Sequence, residues 1–205
     1  NALSEWLEVK VKRNGKVYFQ RYERGRAISE LKEIGFTNEK GTIVAFKPDN
    51  QIFPEINFDF NIISNRLQEL AFLNKGLLIE LTDEREDKKI QFKYDGGITE
   101  FVKHLNKNKK ILNEKPIYIT KEKNKLVVEV ALQYNDSFQE TVYSFVNNIN
   151  THEGGTHLIG FSTALTRAIN DYIKKSKISS IKLSGEDTRE GLTAIISLKV
   201  PEPQF

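Results

Sequence analysis

Apolar and polar residues alternate in the first fifty residues of the chain, a pattern typical of β-strands. Leu7–Val11 and Lys16–Tyr22 are two such runs, and they flank the turn Arg13-Asn14-Gly15. Because Asn and Gly tolerate positive φ, an Asn-Gly pair between two strand-like runs predicts a tight β-hairpin. Thr42–Phe46 predicts a further strand, which ends before Pro48.

The apolar period then changes from that of a strand to that of a helix. Ile63, Leu67 and Leu70 recur at helical spacing. Asp59 suits the N-cap of the predicted helix, and Asn74-Lys75-Gly76 suits its end. We therefore expect a helix that runs to about residue 73.

The remainder of the chain mixes strands and helices. The predicted elements are a hairpin of Leu77–Leu81 with Lys89–Tyr94, a short helix Thr99–Leu105, strands at Tyr118–Thr120, Leu126–Tyr134, Phe138–Asn147 and Leu192–Val200, and a long helix at Leu158–Lys174. The apolar face predicted for the long helix holds Leu158, Phe161, Leu165, Ala168 and Tyr172. Its other face holds Ser162, Thr166, Asn170 and Lys174. The predicted fold class is α+β in two units, with the boundary at Asp95-Gly96-Gly97.

Composition excludes several classes of protein. Of 205 residues, 39% are hydrophobic and 29% are charged, and no stretch approaches the roughly 20 apolar residues of a transmembrane helix. Zero Cys excludes disulfides, Cys-ligated metal sites and thiol nucleophiles. The start Asn1–Leu7 has no signal-peptide pattern and no initiator Met, so we expect the chain to begin inside a longer protein.

The net charge of +3 is unevenly distributed. Residues 1–98 hold 16 basic and 16 acidic side chains, whereas residues 99–205 hold 15 and 12. The densest basic segment is Lys103–Lys125, where eight Lys face only Glu114 and Glu122. Such a segment favours phosphate-rich partners, although a solvated lysine-rich surface has the same composition.

Motifs for common enzyme chemistry are missing from the sequence. It has no nucleophile elbow, no HExxH, no Walker A loop and no GxGxxG. His152, Glu153 and His157 lie in a loop spacing that does not favour a metal site. The polar stretch Asn150–Thr156 can be an ordinary connection or an anion-binding helix start. Glu186–Gly191 indicates a charged turn before a buried strand.

Several groups of residues together resemble the DNA gyrase B family along the whole chain. In the second half these are Ile149–His157, Gly160-Phe161, Ala164–Arg167, Ser184–Ser197 and Pro201–Phe205. In the first half they are Asn1–Ser4, Lys40-Gly41-Thr42 with Phe46, Leu67–Asn74 and Tyr94–Gly97. Because Pro203-Gln204-Phe205 follows Pro201 without an insertion, the resemblance favours gyrase over the sister subunit of topoisomerase IV.

This resemblance implies a domain layout and an activity. Residues 1–97 would be the C-terminal part of a GHKL ATPase-type α/β sandwich, and residues 98–205 a transducer domain like domain 2 of ribosomal protein S5. The intact protein would use ATP and Mg²⁺ to pass one DNA duplex through another and to introduce negative supercoils. It would act in the cytoplasm of bacteria or in organelles, with the nucleoid. Two B-type subunits, dimerised through their ATPase domains on ATP binding, would join two A subunits.

The resemblance also places the catalytic parts outside this chain. The family's general-base Glu, its Mg²⁺-ligating Asn and its lid would precede Asn1, and its Gln-Thr-Lys loop would follow Phe205. No catalytic or metal-ligating residue is therefore expected here, and the chain alone is not expected to hydrolyse ATP.

Specific site residues follow from the same match. Gly41 and Thr42 would bind ATP, and Arg13 would contact aminocoumarin inhibitors at the mouth of the nucleotide pocket. The predicted DNA-facing residues are Arg167, Lys174, Lys175, Lys107, Lys109 and Lys110. Ser162 departs from the family, where many members carry a DNA-facing Arg.

Three alternatives remain open at the level of sequence. The first is the ATPase subunit of topoisomerase IV, and the second is a GHKL clamp protein of the mismatch-repair or chaperone type. The third is a basic nucleic-acid-binding module without a nucleotide role, which only Lys103–Lys125 supports.

Overall fold

The chain folds into two compact units, residues 1–59 and residues 60–205. The structure is a computed structural model, and it describes residues 1–177 and 180–204. Phe205, the last residue of the motif that begins at Pro201, lies outside the described residues. The packing division falls after Asp59, so it does not coincide with the boundary expected at residues 95–97. The assignment of residues 1–97 and 98–205 to two family domains stays a prediction.

The first unit is an antiparallel sheet. Its strands are β1 (Ser4–Arg13), β2 (Lys16–Glu23), β3 (Arg26–Ala27), β4 (Lys32–Phe36) and β5 (Gly41–Pro48). They lie in the order β3-β2-β1-β5, and β4 also pairs with β2. The predicted hairpin is confirmed, because Asn14 and Gly15 adopt φ of 54° and 79° in the turn between β1 and β2. The strands β3 and β4 were not predicted, because neither shows a clear alternation.

The two faces of this sheet differ in character. Successive side chains of a strand point to opposite faces, so Leu7, Val9 and Val11 of β1 share one face. Their partners on β5 include Val44 and Phe46, which makes this face apolar. The other face carries charged side chains, which are exemplified by Glu8, Lys10, Lys12 and Arg21. Val44 and Phe46 remain 54% and 51% exposed.

The second unit is built on a mixed sheet. Its elements are α1 (Phe60–Leu73), β6 (Ile79–Asp83), β7 (Lys88–Phe92), α2 (Ile98–Leu105), β8 (Ile117–Lys123), β9 (Leu126–Tyr134), β10 (Thr141–Val146), β11 (Ile149–Asn150), α3 (Thr156–Ser176) and β12 (Leu192–Lys199). The sheet order is β11-β10-β12-β9-β8, and β6 and β7 form a separate hairpin. The chain passes from β10 through α3 to its parallel neighbour β12, because parallel strands need a crossover connection.

Helices α1 and α2 cover one face of this sheet. Phe72 of α1 stacks on Phe101 of α2 and on Tyr94, at ring-centroid distances of 4.7 and 3.6 Å. The same cluster contains Phe145 of β10 and Ile195 of β12, both fully buried. Because α1 contributes its aromatic side chain to this core, the break in packing comes before α1 and not after β7.

Helix α3 covers the opposite face. Its Leu158, Phe161 and Leu165 pack on a cluster that includes Leu192 and Ile196, as predicted. The prediction was wrong at the end of this apolar face, because Tyr172 is 65% exposed. No helix in the two described ranges is both long and apolar enough to span a membrane.

Most of the predicted polar face of α3 is half-buried, because Thr166 and Asn170 bind the loop that precedes β12, whereas Lys174 at the end of this face is exposed. Thr166 Oγ1 lies 3.0 Å from Thr188 Oγ1. Asn170 Nδ2 donates to the carbonyl of Leu183 at 3.0 Å, and the Leu183 N–H donates to Asn170 Oδ1 at 2.9 Å. This face is therefore a packing surface for the Leu183–Thr188 loop.

Candidate functional site

The residues predicted to bind nucleotide and inhibitor lie close together on the first sheet. Thr42 of β5 is the cross-strand partner of Val11 on β1, and Gly41 is the partner of Lys12. Cross-strand partners point to the same face of a sheet, and so do side chains two residues apart on one strand. Val11, its partner Thr42 and Arg13 therefore lie on the same face of the sheet. Arg13, Gly41 and Thr42 are all exposed. Gly41 has φ 151°, a conformation that suits glycine at the start of β5.

An apolar groove of about 490 Å³ lies in the same unit. Its lining includes Leu3, Leu7, Val44, Phe46, Phe53 and Phe58. Phe46 and Phe58 meet edge to face at a centroid distance of 6.4 Å. The predicted nucleotide residues Gly41 and Thr42 and the predicted inhibitor residue Arg13 are not among the residues that line this groove.

Asp49 fixes the chain after β5. It is only 2% exposed, and its carboxylate accepts from Arg24 Nε at 2.6 Å and from the Gln51 N–H at 3.0 Å. The hydrogen bond from Arg24 is the main cause that lowers the pKa of Asp49, and the bond from the Gln51 N–H adds to it. The Asp49 N–H donates to the carbonyl of Leu3, which ties the first residues of the chain to the end of β5.

The DNA-facing residues predicted on α3 are exposed. Arg167, Lys174 and Lys175 all lie on the outer side of the helix. Asp171 is also exposed and lies within one turn of both Arg167 and Lys174. This face of α3 therefore carries a carboxylate between its cations, which lowers its positive potential.

The second predicted basic group follows α2. Lys107 and Lys110 are exposed, whereas Lys109 is half-buried and donates to Thr141 Oγ1 at 3.2 Å. Helices α2 and α3 cover opposite faces of the sheet. The basic group at residues 107–110 follows α2, whereas Arg167, Lys174 and Lys175 lie on α3, so the two groups belong to helices on opposite faces. The resemblance alone had grouped these cations as one set.

Buried polar side chains anchor the segment that carries Lys107 and Lys110. Asn106 is 3% exposed, and its Nδ2 donates to Gln133 Oε1 at 3.0 Å. Its Oδ1 accepts from Thr193 Oγ1 at 2.7 Å. These bonds fix the end of α2 on the sheet and so determine where the basic segment begins.

The Gly-Gly-Thr-His segment forms the start of α3. His157 Nε2 lies 3.1 Å from Thr151 Oγ1, which lies 2.6 Å from Ser144 Oγ on β10. A Cβ on Gly155 would approach the His157 ring to 2.9 Å, so the motif needs glycine there. Burial lowers the pKa of His157. Within residues 1–177 and 180–204, no cluster of three His, Cys, Asp or Glu side chains is able to hold a metal ion.

Ser162, at the position where the resemblance led us to expect a DNA-facing Arg, is half-buried. Its carbonyl accepts from Thr166 Oγ1 at 2.9 Å. Arg66 was not predicted to have a role, yet its Nη2 donates to the carbonyl of Asn148 at 2.8 Å. The Asn147-Asn148 pair indicates a turn, because Asn tolerates positive φ better than most residues, but it does not indicate the contact with Arg66.

Comparison with known proteins supports the fold and the family. The sequence profile described as DNA gyrase B matches residues 97–205. The DNA gyrase B subunit of Halalkalibacterium halodurans is 55% identical over 210 residues, which covers 100% of this chain and 33% of that relative. The chain thus spans about a third of the length of that curated relative.

Solved structures give the same result for the fold. The 43K ATPase domain of Thermus thermophilus gyrase B, solved in complex with an aminocoumarin, is 37% identical with a TM-score of 0.87, and the match covers 100% of this chain and 57% of that one. The topoisomerase IV ATP-binding domain of Francisella tularensis, solved with a small-molecule inhibitor, is 29% identical with a TM-score of 0.83, covering 100% and 56%.

The class and the family follow from these matches. The fold is that of the GHKL-type ATPase region of type II topoisomerase subunits, with the α+β class that the sequence predicted. The chain belongs to the DNA gyrase B family. The alternatives of a topoisomerase IV subunit and of a GHKL clamp protein are not favoured over this assignment.

Proposed function

We propose that the chain is part of the ATPase subunit of a DNA gyrase, in which ATP binding and hydrolysis drive double-stranded DNA passage and negative supercoiling. The observation that carries this proposal is the 55% identity to a gyrase B subunit along the entire chain. Because the chain covers 33% of that relative, the activity belongs to the intact protein. The residues that activate water and bind Mg²⁺ would lie outside this chain.

The first unit would contribute to the nucleotide pocket. The Thr42 hydroxyl suits a hydrogen bond to the adenine edge or to a water beside it, and Gly41 leaves room for this approach. Arg13 would stack its planar guanidinium on an aminocoumarin at the mouth of the pocket. The aminocoumarin complex of the Thermus thermophilus gyrase B ATPase domain supports this role.

The second unit would face DNA. Arg167, Lys174 and Lys175 on α3 suit contacts to phosphates, which add affinity without reading sequence. Lys107, Lys109 and Lys110 would add to this field, although Lys109 also binds Thr141. The partners would be DNA, the gyrase A subunit and a second B subunit in an A₂B₂ enzyme, which would act in the cytoplasm with the nucleoid.

A supercoiling assay tests this proposal. The intact protein, combined with its A subunit, is expected to convert relaxed plasmid to negatively supercoiled plasmid only when ATP is present. The A subunit alone and reactions without ATP serve as controls. Relaxation and decatenation without negative supercoiling would instead identify a topoisomerase IV subunit, and absence of all three activities would refute both assignments.

A further inference from the structure

The turn between β10 and β11 is a two-residue hairpin turn with side chains that bind other elements. Asn147 and Asn148 adopt φ of 48° and 66°, and positive φ at both central residues is the geometry that such a turn favours. Asn124 and Lys125, between β8 and β9, have the same sign of φ. The turn at Asn147-Asn148 is distinguished by its contacts, because each of the two Asn side chains binds a different element.

Asn148 binds helix α1. Arg66 Nη2 of α1 donates to the carbonyl of Asn148 at 2.8 Å, and Asn148 Nδ2 donates to Asn74 Oδ1 just after the helix at 3.2 Å. Arg66 is itself oriented by an ion pair with Glu69 at 2.9 Å. One end of the turn is thus tied to α1 by a charged and a neutral hydrogen bond.

Asn147 binds the end of β12. Its Nδ2 donates to the carbonyl of Val200 at 2.9 Å, and its Oδ1 accepts from the Val200 N–H at 2.9 Å. The Asn147 N–H also donates to the carbonyl of Leu198 at 2.8 Å. The side-chain amide of Asn147 therefore makes the two backbone hydrogen bonds to Val200 that an adjacent strand would make, directly after the end of β12.

The same turn leads directly into α3. Residues 149–150 form β11, and Thr151 then bonds both to Ser144 of β10 and to His157 in the first turn of α3. Helix α3 carries Arg167 and Lys174, the predicted DNA-facing cations. A short path of hydrogen bonds thus connects α1 to the start of α3 through the Asn147-Asn148 turn.

We propose that Arg66 and Asn148 are positioning residues that couple the ATPase part of the protein to the DNA-facing helix α3. This inference rests on the proposed function and on the expected domain layout, in which residues 1–97, including α1, belong to the ATPase part and residues 98–205, including α3, to the transducer. Displacement of α1 pulls on the Asn148 carbonyl, and the turn passes the displacement to β11 and α3. Because the turn is held by discrete bonds and not by loose packing, it responds by shifting as a unit.

The test uses the intact protein combined with its A subunit and relaxed plasmid. Arg66→Ala removes the bond to Asn148, and the matched control Arg85→Ala removes an Arg that pairs with Asp83 at the β6–β7 turn at 2.6 Å. The readouts are supercoils introduced per ATP hydrolysed, ATP turnover without DNA, and the melting temperature. We expect Arg66→Ala to lower supercoils per ATP about threefold to tenfold. In Arg66→Ala, turnover without DNA and the melting temperature, the latter to within about 2 °C, should stay at wild-type values. Arg85→Ala should keep wild-type turnover and supercoils per ATP, although its melting temperature should fall because the buried Asp83 loses its main partner.

Asn148→Gly provides a second, milder variant. Gly adopts the same backbone without strain and keeps the carbonyl that accepts from Arg66, so only the bond to Asn74 is lost. We expect a smaller loss of coupling than in Arg66→Ala. If Arg66→Ala fails to fold, Asn148→Gly decides the question.

Two results would overturn the inference while leaving the proposed function intact. One is a wild-type number of supercoils per ATP in a folded Arg66→Ala, or in Asn148→Gly where Arg66→Ala does not fold. The other is an equal loss in Arg85→Ala. If the wild-type protein itself fails to supercoil, the proposed function is refuted and the inference falls with it.

Discussion

The two units of the chain bury their apolar side chains to very different extents. Residues 1–59, all of which the structure describes, contain no buried hydrophobic side chain. In the second unit, Phe72, Phe145 and Ile195 are at most 2% exposed. The cause is the number of layers, because the second sheet has helices on both faces and the first has none within residues 1–59.

Within this chain, which covers 33% of a curated gyrase B relative, a packed core and a sheet with an exposed apolar face occur together. The first sheet is held mainly by backbone pairing and by ion pairs such as Arg24–Asp49 and Arg21–Glu8. Thr42 and Arg13, the residues proposed to contact small molecules, lie on its apolar face. The second unit instead presents cations on the outside of a packed core. Stability and ligand contact are therefore expected to respond separately to substitution.

The largest effect is expected in the core of the second unit. Phe145 is fully buried, so Phe145→Ala should lower the free energy of unfolding by about 3–5 kcal/mol. Phe46 on the first sheet is 51% exposed, and Phe46→Ala should cost about 1 kcal/mol. Urea denaturation measures both, with the single Trp, Trp6, reporting the first unit by fluorescence and circular dichroism reporting the whole chain. Equal costs for the two substitutions would contradict the contrast in burial.

Substituting two glycines that have similar φ should distinguish the cost of backbone strain from the cost of a steric clash. Gly191 has φ 69°, and a Cβ there would lie 2.3 Å from the Asn135 carbonyl oxygen. Gly191→Ala should therefore destabilise the protein by about 2–4 kcal/mol. Gly15 has φ 79°, and a Cβ added there would have no atom within 4 Å, so Gly15→Ala should cost only about 1 kcal/mol. Thermal unfolding of the two variants measures the difference, and a larger loss in Gly15→Ala would refute the packing argument.

Arg13 tests whether the first sheet contacts inhibitors. In the intact enzyme, Arg13→Ala should weaken aminocoumarin inhibition about tenfold, because a stacked cation contributes about 1–2 kcal/mol. ATP turnover should stay unchanged, because the Arg13 side chain is exposed at the end of β1. The inhibitor concentration for half-maximal inhibition is the measurement, with Lys16→Ala across the hairpin as the control. Equal potency against wild type and Arg13→Ala would remove Arg13 from the site.

The smallest effect concerns His157 at the start of α3. Burial lowers its pKa in the folded state, so the unfolded chain binds the proton more readily. Stability should therefore fall as the pH drops below about 6.5, the ordinary value for His. Denaturation between pH 7.5 and pH 5 should show this slope in the wild type, and His157→Gln should show a shallower one. Parallel slopes in the two proteins would contradict the burial of a neutral imidazole.

The sequence predicted local structure well where short-range rules decide it. The hairpin at Asn14-Gly15, the helix ending at Leu73 and the strand Leu126–Tyr134 all form as expected. These elements depend on turn residues and apolar period, which are local properties. The assignment of the chain to the gyrase B family came from motifs, and the comparisons confirm it.

Features that depend on distant partners were not predicted. The parallel pairing of β10 with β12 requires the path of α3 across the sheet. Thr166 and Asn170 were assigned to a polar face, but their side chains bind the loop before β12. The Arg66–Asn148 contact joins residues 82 positions apart, so no local pattern indicates it.

The central claim is that the first unit serves the nucleotide and the second serves DNA, and one paired measurement tests it most directly. In the intact enzyme, ATP affinity and supercoils per ATP are measured for Thr42→Val and for the double variant Arg167→Gln with Lys174→Gln, across a salt series. Thr42→Val should weaken ATP binding by about 1 kcal/mol and leave supercoils per ATP unchanged. The double variant should lower supercoils per ATP, most at low salt where phosphate contacts are least screened, and leave ATP affinity unchanged. The division of roles is wrong if Thr42→Val and the double variant both alter ATP affinity, or both alter supercoils per ATP. It is also wrong if the double variant supercoils normally at every salt concentration.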